Sequence, residues 1–356
     1  MTHAEQRIKN LLRLTAQQGA SDLHLSVARY PTYRIDGKLI AFTQESILTP
    51  EDTKEMCDVI ISEEKKKILL KEGQADFSYN FEDKVRFRVN AFFQQGYISV
   101  AFRVISSNIK TLEELGMPEI LYDFTKVSQG LVLVVGPTGH GKSTTLAAII
   151  NQINRTQEKH IITIEDPVEY IYEQDRCIIE QREVYQDSAS FPLALKAIFR
   201  EDANVILLGE MRDLDTIGTA LTAAETGHLI FATLHTNDSA QTIDRIVDVF
   251  PAHQQNQIRS QLANVLLAVV SQRLLPKIDS GRIPAVEIMI KNHAIENLIR
   301  ENKPYQIDNV IETSLDQGMV PMDKSLAELV KKGIISLETA KTYAKDGKNL
   351  DMLMRN

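Results

Sequence analysis

The chain has 356 residues, 43% hydrophobic and 25% charged, which is ordinary for globular protein and long enough for roughly two domains with proper cores. Lys and Arg number 40 against 48 Asp and Glu, a net charge of −8, so no bulk field favours nucleic acid or anionic lipid and only a local patch would. The opening "MTHAEQRIKN" holds no apolar stretch of signal-peptide length and "LANVLLAVV" (Leu262 to Val270) is too short to span a bilayer, so a cytoplasmic chain is expected.

Residues 1–108 read as a small α/β domain. A polar amphipathic helix is followed by "SDLHLSV" and by "YRIDGKLIAF", two strands around an Asp36-Gly37 hairpin turn. Val85 to Ile105 alternates apolar and polar residues around Gly96 and predicts a second hairpin. Ser106 to Glu119, with Gly116 and Pro118, opens a linker taken as 109–129. Cys57 and Cys177 have no CxxC spacing and read as buried thiols in a reducing compartment. From 130 to 290 the short apolar runs "LVLVV", "HIITI", "NVILLG" and "LIFATL" alternate with helical patterns, which predicts βαβ units and a mainly parallel sheet covered on both faces. Residues 291–356 are helical and polar and read as a third, all-α piece. The fold class is α/β.

"LVLVVGPTGHGKSTT" carries the chemistry. Gly136, Pro137, Thr138, Gly139, His140, Gly141, Lys142 and Ser143 form a P-loop, with Thr144 following, between an apolar strand and a helix. Glycines let backbone N–H groups crowd round the phosphates of ATP, and the helix start adds about half a positive charge. Lys142 is assigned to the β and γ phosphates and Ser143 to Mg²⁺. Glu210, ending the apolar run of "NVILLGEMRD", is the second Mg²⁺ candidate, against the alternative of a solvated strand-end glutamate. Glu165, with Asp166 just before Pro167, ends "HIITIE" and is the candidate general base for an attacking water.

"GHLIFATLHTN" has a histidine at either end. On a strand, seven residues at roughly 3.3 Å each separate His228 from His235 by about 23 Å, so they cannot share one ion. Ligands of open α/β sheets sit outside the carboxyl ends of the strands. His235 falls on that edge with Gly136, Glu165 and Glu210 and is the candidate γ-phosphate sensor, the alternative being a satisfied core histidine. His228 falls on the opposite edge as a helix-end or interface residue. Arg212 is one candidate arginine finger. Arg86, Arg88 and Arg103, in "RFRVN" and "AFRVI", are others; offered to a neighbouring copy, such arginines are worth roughly 10³ to 10⁵ in rate. A solvated strand face would also place Arg86 beside Arg88. The trans arrangement needs a head-to-tail interface, which closes into a ring or runs on as a filament.

These boxes, with "GASDLHL", "RIDGKL", "ITIEDPVEY", "QREV", "TIDRIVDVFP" and "AIENLIRE", resemble the secretion-type ring ATPases almost end to end, and within them the type IV pilus retraction ATPases. The resemblance implies an N-terminal PAS-like domain, a C-terminal RecA-like domain with a helical tail, and a homo-hexameric ring that hydrolyses ATP with Mg²⁺. It implies an inner-membrane pilus platform protein as partner and a location at the inner face of the cell membrane; the acidic balance and the lack of an aromatic-basic stripe speak against nucleic acid. It places His228 with His235 in a histidine box, Glu165 as the catalytic glutamate, and Arg86, Arg88 and Arg103 as arginines that reach a neighbour's nucleotide. Three positions depart from the family pattern: Gln95, His140, whose side chain should point outward from the P-loop, and Glu296, where arginine is usual. Lack of a CxxC pair speaks against the extension and type II ATPases. The rival readings are an accessory retraction ATPase acting beside a second, principal one, a nucleotide-gated scaffold, a nucleic-acid translocase and, last, a small-molecule kinase.

Overall fold

The structure is a computed structural model and describes residues 2–35, 37–82, 85–105 and 108–355. The chain forms two compact units: Met1–Asn108 with Pro167–Ile171, and Ile109–Asp166 with Tyr172–Asn356.

The first unit holds a six-stranded sheet of β1 (Asp22–Leu25), β2 (Thr32–Ile35), β3 (Lys38–Ala41), β4 (Gln74–Phe81), β5 (Val85–Gln94) and β6 (Tyr97–Ile105). Their order is β3-β2-β1-β6-β5-β4, antiparallel at each pairing. One face is apolar because successive side chains alternate. Phe87, Val89 and Ala91 of β5 point into a core closed by Ile8, Leu11, Leu12 and Met56 from the helices His3–Gln17 and Pro50–Ile60. The hairpin at Gly96 is a two-residue turn between Gln94 and Tyr97, with φ +51° at Gln95 and +83° at Gly96, the primed geometry that suits strand twist. Thus Gln95 sits where left-handed backbone is required. Of the other expected turn, Gly37 has φ +79° and Ile35 pairs with Lys38, while Asp36 lies outside the described residues, as do Ser106 and Ser107.

The second unit carries β7 (Gly130–Val135), β8 (His160–Glu165), β9 (Ile178–Glu183), β10 (Val205–Leu208), β11 (Leu229–Leu234), β12 (Leu266–Pro276) and β13 (Arg282–Ile290). Their order is β13-β12-β7-β11-β10-β8-β9, and each pairing is parallel except β12 with β13. β7, β10 and β11 are buried at every residue, as a sheet with helices on both faces requires. "LANVLLAVV" divides at Leu266 between the end of the helix Ala252–Val265 and the start of β12. The segment 109–129 contains the helix Ile120–Phe124 and buries Leu112, Met117 and Leu121.

The residues after Ile290 are helical, but they are not a unit of their own. Ile295 and Ile299 join the central core, and the helices Met322–Lys331, Leu337–Tyr343 and Gly347–Arg355 share a smaller core with Leu275 of β12 and Ala285 of β13. Among the described residues no helix is long and apolar enough to cross a membrane.

Candidate active site

β7, β11, β10 and β8 are consecutive in the second sheet and parallel, so their carboxyl ends line one edge. Gly136 follows β7, His235 follows β11, Gly209 and Glu210 follow β10, and Glu165 ends β8. Four of the expected site positions are thereby brought to adjacent strand ends.

The P-loop is shaped by close approach. Gly136 has φ +147°, and a Cβ there would fall 2.5 Å from the Gln272 carbonyl oxygen. The helix Lys142–Thr156, with Ser143 and Thr144 as its next residues, starts at Gly141 without a side-chain cap, so its first N–H groups have no side-chain acceptor at the cap. An uncapped helix start behind a glycine loop is a fitting cradle for phosphate. Lys142, 7% exposed, donates from Nζ to the carbonyls of Gly136 (2.8 Å) and Pro137 (3.1 Å) and to His235 Nδ1 (3.3 Å).

Those partners assign the His235 tautomer. An ammonium group only donates, so Nδ1 accepts and the proton is on Nε2, which lies 3.3 Å from Glu210 Oε2. The Thr138 hydroxyl lies 3.4 Å from the same Nδ1. His235 therefore bridges the P-loop lysine and the Glu210 carboxylate. Arg212 Nη2 holds the same oxygen of Glu210 at 2.7 Å. Burial presses the Glu210 carboxyl upward, but Arg212 and His235 outweigh it and hold the group below the ordinary carboxylate range. Glu165, 8% exposed, accepts from the Thr163 hydroxyl at 2.7 Å. A Cβ on Gly209 would come 3.3 Å from Glu165 Cα, so this glycine lets the Glu210 strand end lie tight against Glu165.

Other expected residues lie elsewhere. His228 is at the opposite end of β11, its Nδ1 3.0 Å from the Ala223 carbonyl at the end of the helix Leu214–Glu225 and its ring edge-on to Phe199. Within one chain it does not join His235, because a six-residue strand separates them. Arg86, Arg88 and Arg103 are in the first unit, on the face of the sheet opposite Phe87 and Val89, with Arg88 directly across from Arg103. Arg103 Nε pairs with Asp22 at 2.9 Å. Arg212, one of the candidate fingers, is committed to Glu210. His140 is not simply turned outward: its Nδ1 accepts from the Leu274 N–H at 3.0 Å and its ring meets that of Tyr343. Burial first, then the cations Arg273, Lys142 and Arg282, lower its pKa.

Reading the sequence alone misses Gln272, Arg273 and Glu287. Gln272, 2% exposed, donates to the His140 carbonyl and accepts from Thr145, both at 2.8 Å. Arg273 donates to the Asn237 carbonyl (3.0 Å) and side chain (3.1 Å). The available signal is Ser271-Gln272-Arg273 interrupting an otherwise apolar strand. Glu296 lies beside two cations, Lys291 (3.7 Å) and Arg300 (3.9 Å), and 3.5 Å from His293 Nδ1.

Residues 2–302 match the family of Type II/IV secretion system proteins. The chain is 48% identical over 345 residues to the "Type IV pilus retractation ATPase PilT" of Pseudomonas aeruginosa, covering 96% of this chain and 99% of the relative. It is 37% identical over 348 residues to the "Type IV pilus ATPase PilU" of the same organism, covering 98% and 91%. A crystal structure of the pilus retraction motor PilT with bound ADP superposes with a TM-score of 0.90 at 46% identity, covering 97% of this chain and 99% of that one.

Proposed function

The chain belongs to the Type II/IV secretion system protein family, and on that premise we propose that it is an ATPase whose hydrolysis of ATP drives retraction of a type IV pilus. The observation that carries this is the alignment of Gly136, His235, Glu210 and Glu165 on four consecutive strand ends, beside relatives named for pilus retraction that match over nearly their whole length.

In this reading the P-loop N–H groups and the start of the helix Lys142–Thr156 bind the β and γ phosphates of ATP. Lys142 exchanges its loop carbonyls for phosphate oxygens. Ser143 and Glu210 would hold Mg²⁺, which when bound would supply charge neutralisation to the phosphates. Glu165, oriented by Thr163, takes a proton from the attacking water. His235, touching both Lys142 and Glu210, registers whether the γ position is filled, because Lys142 can bind either the loop or phosphate. Arg86, Arg88 and Arg103 stabilise the transition state from a neighbouring copy, in a homo-hexameric ring at the inner face of the membrane that works on a pilus platform protein. His228 then serves the ring interface.

The test is phosphate release by the purified full chain together with its mass in solution, and pilus retraction in cells whose one retraction ATPase is this chain. Turnover with Mg²⁺ and ATP, lost in Lys142→Ala along with retraction, is expected. Retraction that persists in Lys142→Ala sinks the motor reading, and a monomer with full turnover sinks the trans arginines.

A further inference from the structure

β12 stands directly behind the two loops of the site. Gln272 and the Leu274 N–H hold His140 of the P-loop by its carbonyl and its imidazole, while Arg273 between them holds Asn237 of the loop after β11. That second loop is held again where it ends. Glu287 of β13, 3% exposed, accepts from the N–H (3.1 Å) and the hydroxyl (2.8 Å) of Ser239, the first residue of the helix Ser239–Asp248.

Both attachments have a further partner within three residues near the C-terminus. Tyr343, ending the helix Leu337–Tyr343, sets its ring edge to face with His140, centroids 6.5 Å apart at 62°. Lys345 Nζ lies 3.3 Å from Glu287 Oε2 and 2.7 Å from Asp308. The segment between is itself fixed, since the N–H groups of Lys345 (2.7 Å) and Asp346 (2.9 Å) donate to Asp323, 4% exposed. Without Lys345 the buried Glu287 carboxylate keeps hydroxyl and amide donors but, among the described residues, no cation in direct contact, a costly state for a buried charge.

We propose that residues 343–345 are a brace for the nucleotide site: Tyr343 positions the P-loop through His140, and Lys345 positions the loop of His235 through Glu287 and Ser239. This rests on the reading that those two loops hold ATP. Both are positioning residues; each acts through another side chain. The brace also ties the C-terminal helices to both loops at once, so that a shift of those helices changes the fit of the nucleotide.

The experiment measures binding of a fluorescent ADP analogue, and KM and kcat for ATP, on the full chain. Tyr343→Ala and Lys345→Met are each expected to weaken ADP binding and raise KM about three- to ten-fold, the size of one lost aromatic pair or charge-assisted bond, with kcat changed less. Tyr343→Phe keeps the ring and should bind as the parent does. Lys341→Ala, which removes only a surface pair with Asp351 at 3.0 Å, should do the same. The double variant His140→Ala/Tyr343→Ala should bind no worse than His140→Ala alone, a non-additivity that general loosening does not produce. Parent-like ADP binding in Tyr343→Ala and Lys345→Met, or strict additivity in the cycle, overturns the brace. Lys142→Ala run alongside separates the two ideas: if it binds ADP normally the loop reading itself fails, and if it loses ADP while Tyr343→Ala and Lys345→Met keep it, the brace alone fails. Should Lys345→Met not fold, the His140/Tyr343 cycle decides.

Discussion

Replacing Gly136 by alanine tests whether the P-loop is built against β12. At φ +147° an alanine is in a backbone region that side chains rarely adopt, and its Cβ falls 2.5 Å from the Gln272 carbonyl oxygen, a backbone atom with no rotamer to escape by. The conformation costs about 1–3 kcal/mol. Forcing β7 and β12 apart adds about 1–3 kcal/mol of overpacking. The sum of about 2–6 kcal/mol, at about 2–4 °C per kcal/mol for a unit of this size, lowers the melting midpoint by about 4–24 °C. Gly139→Ala is the control: φ is +80° but nothing lies within 4 Å of its Cβ, so only the left-handed cost of about 1–2 kcal/mol applies. Thermal melts of both full-length variants, with and without ADP, give the comparison. Gly136→Ala should melt lower and gain less from ADP, because the strand shift opens the phosphate cradle. Equal midpoints and equal ADP gains refute the argument.

Gly209→Ala puts a Cβ 3.3 Å from Glu165 Cα, so kcat should fall while ADP affinity stays near the parent value; steady-state kinetics beside ADP titration check it. Arg88→Ala removes an exposed guanidinium and should cut turnover by about 10³ or more in the assembled protein without lowering the melting midpoint; an unchanged kcat sinks the trans assignment. His140 has its folded pKa lowered, so the unfolded chain binds more protons between that value and the ordinary 6.5, and stability must fall as pH drops through this window. His140→Asn keeps an acceptor for the Leu274 N–H without titrating, so its urea midpoints should lose that part of the slope and keep the part due to His24, also lowered by burial.

What could be read from sequence and what could not divides by range. The P-loop is legible because phosphate binding dictates residue types at fixed local spacing, and Glu165, Glu210 and His235 are legible because each ends an apolar run. The register that brings them together is long-range, yet a mainly parallel sheet puts every such end on one edge, so the edge is predictable. β9, β12 and β13 are less so. "LANVLLAVV" has a single polar residue, Asn264, too few to show a period, and a run that short fits the end of a helix as well as a strand. The ties of His140 to Leu274 and Tyr343 join positions far apart in the chain, which no local pattern records. Glu287 looks like an ordinary charge in a strand until Ser239 and Lys345 are placed around it.

The first sheet carries its own argument for an anionic partner. Register sets Arg88 directly across from Arg103, with Arg86 two residues along the same face, and like charges directly opposed weaken a sheet. Asp22 offsets part of this, pairing with Arg103 at 2.9 Å and lying 3.7 Å from Arg34. A threonine pair at positions 88 and 103 would cross the strands without that repulsion. In the second unit Arg212 is spent on Glu210, and Lys142 must first leave two carbonyls. On the proposed function, Arg86, Arg88 and Arg103 bring to a neighbouring copy's γ-phosphate the cationic charge that Arg212, held by Glu210, does not supply. On that reading hydrolysis waits for a second copy, which is the condition under which a chemical step can be coupled to movement.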